Sequence, residues 1–222
     1  MATAIQTYRE ERASARPRVA IAESIVVGAG SAGLRVAHAL VRCVVGCLVV
    51  DRKTLVGDWR GGYGEHGDLG DELRASGWVE SSHGFVSRRG PGRAAIHSDV
   101  EVVRIDPCEG GWQLTSSDGK LWAPHVVLAT GAPAAAPRRA ARFPRQRPDE
   151  QRLPSLVSHL DVLDRDGAPR VHGARTLDHA RGLYFLGYRA AAEGGHGATA
   201  FDARAIAREV MRDLYGTRSE LA

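Results

Sequence analysis

Apolar residues follow two patterns along this chain. Short runs with little polar interruption occur at 24–27, 47–50 and 126–128. Such runs, bounded by turn residues, fit strands buried on both faces. Half-polar strands are predicted at 100–106, 112–116 and 121–122, with Gly110-Gly111 and Asp118-Gly119 between them. Those dipeptides are hairpin turns, so this stretch, about 100–123, reads as a β-meander. Segment 34–42 carries Leu34, Ala37, Leu40 and Val41 at helical spacing and predicts an amphipathic helix; a second helix is predicted over 203–211. Between 61 and 96 no clear periodicity is visible. Residues 1–18 are polar and Arg-rich without an apolar centre, and read as a flexible tail rather than a signal peptide.

The length of 222 residues allows one large domain or two small ones. A chain of that size buries about 70% of its unfolded surface without help from disulfides. A hydrophobic share of 43% and a charged share of 25% exclude disorder, collagen and coiled coil for the whole chain. The longest apolar stretch, 43–50, is far short of the roughly 20 residues that cross a bilayer. Net charge is +4, but only Lys53 and Lys120 are lysines and there is no asparagine at all. That is the mark of a GC-rich coding bias, so arginine clusters carry little weight here as nucleic-acid signals. Arg138, Arg139, Arg142, Arg145 and Arg147, set among Pro137, Pro144 and Pro148, read as a solvated basic linker over about 132–158. Cys43, Cys47 and Cys108 are sparse and odd in number, which fits a reducing cytoplasm. No metal site is expected, because Cys43 and Cys47 lack further ligands at suitable spacing.

The strongest local signal follows the run 24–27, where Gly28, Gly30 and Gly33 spell G-A-G-S-A-G before the predicted helix 34–42. A second buried strand, 47–50, ends at Asp51, eighteen residues after Gly33. Strand, glycine loop, helix, strand and acid at this spacing make a dinucleotide-binding βαβ unit. Gly28 allows the tight turn, Gly30 lets backbone approach a pyrophosphate, and Gly33 lets helix pack on strand. The helix N-terminus, Ser31 and Ala32 included, offers N–H groups to phosphate. Asp51 suits free ribose hydroxyls and so favours FAD or NAD over NADP, although Arg52 and Lys53 beside it can tolerate a phosphate; a strand-end cap is the minor alternative. Gly62, Gly64 and Gly67 repeat the spacing but follow Arg60 rather than a strand, and are not read as a phosphate loop.

With these residues in place, V-V-G-A-G-S-A-G-L (26–34), L-V-V-D-R (48–52) and V-G-D-W-R (56–60) resemble the flavin-containing monooxygenase family. More broadly the chain is similar to FAD-dependent oxidoreductases with two dinucleotide domains. In the family a Gly-Gly-x-Trp turn passes beside the flavin; Gly57 and Trp59 match it, and Val56 stands where the first glycine is usual. V-V-L-A-T-G (126–131) resembles the strand that returns to the FAD domain, and G-L-Y-F-L-G-Y-R (182–189) the C-terminal flavin segment. The resemblance covers roughly 20–60, 100–135 and 160–215. It implies an α/β, Rossmann-like FAD-binding domain: a parallel sheet with helices and a β-meander. Gly28, Gly30, Ser31, Ala32, Gly33, Asp51 and Arg52 would hold the ADP half, and Val103 in the meander belongs to the same implied cofactor-binding set. Gly57, Asp58, Trp59, Ala129, Thr130, Gly131, Gly187 and the loop with Gly195, His196 and Gly197 would approach the flavin half. Trp59 also reads as a core aromatic, and His196 as an ordinary loop histidine.

The chain departs from the family after Gly131. There the family enters a second glycine-loop unit that binds NADPH, whereas here 159–167 already reads like the stretch before the C-terminal flavin segment. The family's Phe-Gly and histidine signature and its flavin-side asparagine are missing too. The expectation is a single FAD-binding domain over 19–222, with the NADPH domain missing. The resemblance thus implies a monooxygenase-like FAD-dependent oxidoreductase, with NADPH as electron donor left open against a separate reductase partner. The alternative is a degenerate nucleotide-binding module without turnover. A small NAD-dependent reductase accounts for neither V-G-D-W-R nor A-T-G. The substrate is an unnamed small molecule, self-association is open, and neither membrane nor nucleic acid is expected as a partner. No nucleophile–histidine–acid set is defensible, so no catalytic residue is assigned.

Overall fold

Both faces of the short apolar strands are covered, which explains why those runs lack polar alternation. The computed structural model describes residues 19–52, 78–81, 84–87, 94–97, 99–130, 153–188 and 195–216. Its strands are β1 (Val19–Ile21), β2 (Ser24–Val27), β3 (Cys47–Val50), β4 (Trp78–Ser81), β5 (Gly84–Ser87) and β6 (Ala94–His97), then β7 (Val102–Cys108), β8 (Gly111–Ser116), β9 (Gly119–Ala123), β10 (His125–Leu128) and β11 (Leu183–Phe185). The α-helices are α1 (Ser31–Arg42), α2 (Leu153–Val157) and α3 (Gly195–Tyr215). The larger sheet runs β11-β10-β2-β3-β6-β5-β4. Pairings from β11 through β6 are parallel, and β5 and β4 continue the sheet antiparallel. The smaller sheet is the predicted meander, β7-β8-β9, extended by β1 in parallel with β9.

The two-residue period of a strand sorts its side chains into two cores. Val26, Val49, Ile96, Val127 and Tyr184 point to one face, where α1 supplies Leu34, Ala37, Leu40 and Val41 and α3 supplies Ala203, Ile206, Ala207 and Val210. Ile25, Val27, Leu48, Val50, Val126, Leu128, Leu183 and Phe185 point to the other, against Ile105, Trp112, Leu114 and Leu121 of the meander and Leu156 of α2. Helices, parallel sheet and meander thus form three layers, and the sheet is the shared middle. Each fully buried aliphatic side chain contributes about 1.5–3 kcal/mol of transfer free energy.

Four differences from the sequence expectation have physical reasons. β1 was not predicted, because three residues of a polar neighbourhood become a strand only when β9 pairs with them. β6 lies in the stretch without periodicity; Ala94 and Ala95 have weak strand propensity and are buried because β3 and β5 flank them. The expected linker 132–158 overlaps α2, whose Leu153, Leu156 and Val157 are buried. Helix α3 starts at Gly195, so Gly195, His196 and Gly197 form its first turn rather than a loop. Packing of the apolar stripe further along carries the helix back through these weak helix formers. Gly57, Asp58, Trp59 and Gly131 lie outside the described residues, as do the tail 1–18 and most of the basic stretch. Among the described residues no helix is long and apolar enough to cross a membrane. No cluster of three or more His, Cys, Asp or Glu among them is placed to hold a metal.

Candidate dinucleotide site

The order of the parallel strands reverses beside β2. The chain runs β2, β3, β6 in one direction across the sheet, then returns to lay β10 and β11 on the other side. A crevice opens outside the carboxyl ends of strands at such a switch point. The strand ends are level here. Gly28 N–H donates to Val50 O (2.8 Å), Ala129 N–H to Val27 O (2.8 Å) and Leu186 N–H to Leu128 O (2.9 Å). The residues named from the sequence on β2, β3, β10 and β11 therefore leave one edge together.

The three glycines of the loop have three separate causes. Gly28 has φ +105°, and a Cβ there would lie 2.5 Å from Ala129 O. A Cβ on Gly33 would lie 1.8 Å from Gly28 O, so helix α1 reaches the strand only because that side chain is missing. Gly30 differs from both. Its φ of −69° suits any residue, and a Cβ there would meet nothing within 4 Å. Nothing in the described fold requires glycine at 30, and open space lies in front of its backbone. Gly30 is also the N-cap of α1, with no side-chain cap and no acid in the first turn. The first-turn N–H groups and the positive end of the helix dipole face that same space.

Asp51 borders the loop from the end of β3. Its Oδ2 accepts the Ala29 N–H at 2.6 Å, so the carboxylate draws the glycine loop against β3. The Asp51 backbone is held on both sides: its N–H donates to His97 O and its carbonyl accepts Val100 N–H, each at 3.0 Å. Arg52 follows it, half-exposed. Val103 lies three residues past Val100, on β7, and is exposed.

On the opposite side of the crevice, Gly187 turns with φ +84°, and a Cβ there would lie 3.1 Å from Ala32 Cβ. The exit of β11 therefore runs against the first turn of α1. One residue later Tyr188, absent from the sequence-derived site, places its hydroxyl 2.7 Å from Thr130 Oγ1. Burial pushes the Tyr188 phenol up to about 12, against hydrogen bonds from Thr130 that pull it down. The Phe185 ring stands edge-on to it, with centroids 6.2 Å apart. In the sequence Tyr188 lies inside the segment G-L-Y-F-L-G-Y-R, where only its place beside Gly187 marks it.

No protein-family model matches this chain, and no curated protein matches it by sequence. Solved structures do. A thioredoxin reductase from Gloeobacter violaceus superposes with a TM-score of 0.55 at 12% identity, over 87% of this chain and 95% of that one. THI4 from Thermovibrio ammonificans gives 0.50 at 16% identity, over 95% of both chains. Thioredoxin reductase from T. acidophilum is 21% identical over 51% of this chain, with a TM-score of 0.36, and this chain spans 36% of its length. The fold is the Rossmann-like α/β fold of FAD-binding proteins, with a parallel sheet.

Proposed function

We propose that this chain is an FAD-dependent oxidoreductase of the flavin-containing monooxygenase type, acting on a small molecule through one dinucleotide site. Gly30 is the observation that carries the reading: a glycine demanded neither by conformation nor by packing, facing open space at an uncapped helix N-terminus. A pyrophosphate laid across that backbone explains it. Bound there, FAD supplies two-electron redox chemistry. The chain's own residues hold and orient it. First-turn N–H groups of α1 neutralise the phosphates, Asp51 holds the loop and faces the ribose side, and Thr130 and Gly187 border the other half. The monooxygenase part rests on V-G-D-W-R and A-T-G in the sequence.

The test is purification of the full chain, inspection for bound yellow flavin, and anaerobic addition of NADPH with and without a flavin reductase. Yellow protein that bleaches, with NADPH alone or with the reductase present, is the expected outcome. Colourless protein without a thermal shift on adding FAD overturns the reading. Protein that binds FAD but is bleached by neither reductant is a nucleotide-binding module without turnover.

A further inference from the structure

The pole of the molecule opposite the crevice, where the parallel strands begin, carries exposed apolar side chains with opposite charges on either side. We propose that this face joins two copies of the chain in a twofold dimer, with Val44 and Tyr215 at its centre and Arg42 of each copy set against Asp213 of the partner subunit. The dinucleotide crevice stays open at the other end of the sheet, so this inference does not depend on the FAD reading.

Val44 is the residue that the chain by itself does not account for. Helix α1 ends in a closed cap: Val44 N–H donates to Val41 O (3.1 Å) and Val45 N–H to Leu40 O (3.0 Å). That pattern places a left-handed residue just past the helix, most often a glycine. Here the residue is a valine, at φ +70°. A β-branched side chain in that conformation is a true outlier and carries strain. Val45, the next residue, is fully buried, but Val44 is 45% exposed. Packing within the chain therefore offsets little of the strain, whereas a second surface laid on the isopropyl group offsets more.

The neighbours of Val44 say what that surface is. Glu23, just before β2, accepts the N–H of Gly46, just before β3, and the Tyr215 hydroxyl at 2.6 Å. The Tyr215 ring is 44% exposed, and Ile21, two residues before Glu23, is exposed as well. On the other side of β2, Asp213 reaches His125 at the start of β10 and keeps 69% of its side chain exposed. The strand order β10-β2-β3 thus sets Asp213, Tyr215 and Val44 in a row, about 10 Å from end to end. Arg42, exposed in the last turn of α1, stands at the Val44 end. Burial raises the pKa of the adjoining Cys43 thiol, and Arg208 and Arg42 pull it back, so both guanidinium groups lie at this end. Arg212 pairs with Glu209 within α3, and their charges cancel.

The row is acidic at one end, apolar in the middle and basic at the other. A half-turn about an axis between Tyr215 and Val44 lays the acidic end of one copy on the basic end of the next and the apolar middle on itself. An isologous interface requires this self-complementarity. A second copy therefore supplies both the apolar cover and the charges in the required order.

Sedimentation of the full-length chain from about 1 to 100 μM reads the association. The wild type forms a dimer whose share rises with concentration. Arg42→Glu and Asp213→Arg each weaken it at least about tenfold, because each sets like charges together at both ends of the interface. The double variant recovers most of that loss. Val44→Gly leaves the chain at least as heat-stable at low concentration, since glycine tolerates the left-handed turn, yet it weakens the dimer. This variant carries the test if Asp213→Arg fails to fold beside His125. A wild type that stays monomeric up to about 100 μM overturns the proposal and leaves the face to segment 1–18 or to another protein. A dimer unmoved by the single reversals lies on another face and overturns it too, as does a double reversal no tighter than either single one.

Discussion

At the scale of single residues, the glycine loop separates what the fold needs from what a ligand needs. Gly33→Ala forces a methyl to within 1.8 Å of Gly28 O, and overpacking of this kind costs about 1–3 kcal/mol or more. Gly30→Ala meets no atom within 4 Å and keeps an allowed φ, so its cost to the free protein stays within about 0.5 kcal/mol. The affinities run differently. In the proposed binding mode a methyl at 30 takes the space of the pyrophosphate, so Gly30→Ala is expected to abolish FAD binding in a stably folded protein. Thermal unfolding without ligand, followed by FAD titration, separates the two effects; tight FAD binding by Gly30→Ala would remove the main support for the site. All three glycines were legible as a motif in the sequence. Their separate causes were not, because a missing Cβ has a reason only once its neighbours are known.

At the scale of elements, α3 links the crevice to the far edge of the sheet. Its first turn follows the exit of β11, and its last turn is tied down where the strands begin. Tyr215 donates to Glu23 Oε1 at 2.6 Å, and Asp213 Oδ2 lies 3.1 Å from His125 Nε2. His125 opens β10 with its ring buried, and neither ring nitrogen makes a hydrogen bond. The two side chains are close enough to attract but not aligned to bond. Burial lowers the His125 pKa below its ordinary 6.5, while Asp213 and Glu209 of α3 pull it up less strongly. Tyr184 lies beside the ring, with centroids 6.1 Å apart. As pH falls, the unfolded chain takes up this proton before the folded one does, so stability is full above about 6.5 and declines below it. Thermal midpoints measured between pH 8 and pH 5 fall in the wild type, and His125→Phe flattens that part of the curve; an identical slope in both would assign the loss to other groups. The helix itself was legible over 203–211 from its apolar stripe. Neither its extension to Gly195 nor its grip on His125 was, since both depend on packing against distant residues.

At the scale of the whole molecule, one parallel sheet is shared by two cores, and the site lies at its edge. Ligand binding at that edge must therefore stabilise every layer. FAD at a hundredfold excess over its dissociation constant adds about 2.7 kcal/mol to the folded state. For a chain of this size that raises the melting temperature by about 5–10 °C. Differential scanning fluorimetry with FAD, and with NADP as a control that Asp51 disfavours, measures it; a larger shift with NADP than with FAD would reverse the assignment of the cofactor.

The sequence by itself determined the βαβ unit, the meander and the acid at the end of β3. These are local features, written in contiguous residues whose hydrophobic period and turn chemistry need no distant partner. Tertiary structure alone decided which glycine neither conformation nor packing requires, and it made strands of Val19–Ile21 and Ala94–His97. It also joined Thr130 to Tyr188 across 58 residues and seated His125 beneath α3. Each of those depends on burial against residues far away in the chain, and short-range propensity contains no information about what will lie on the other side.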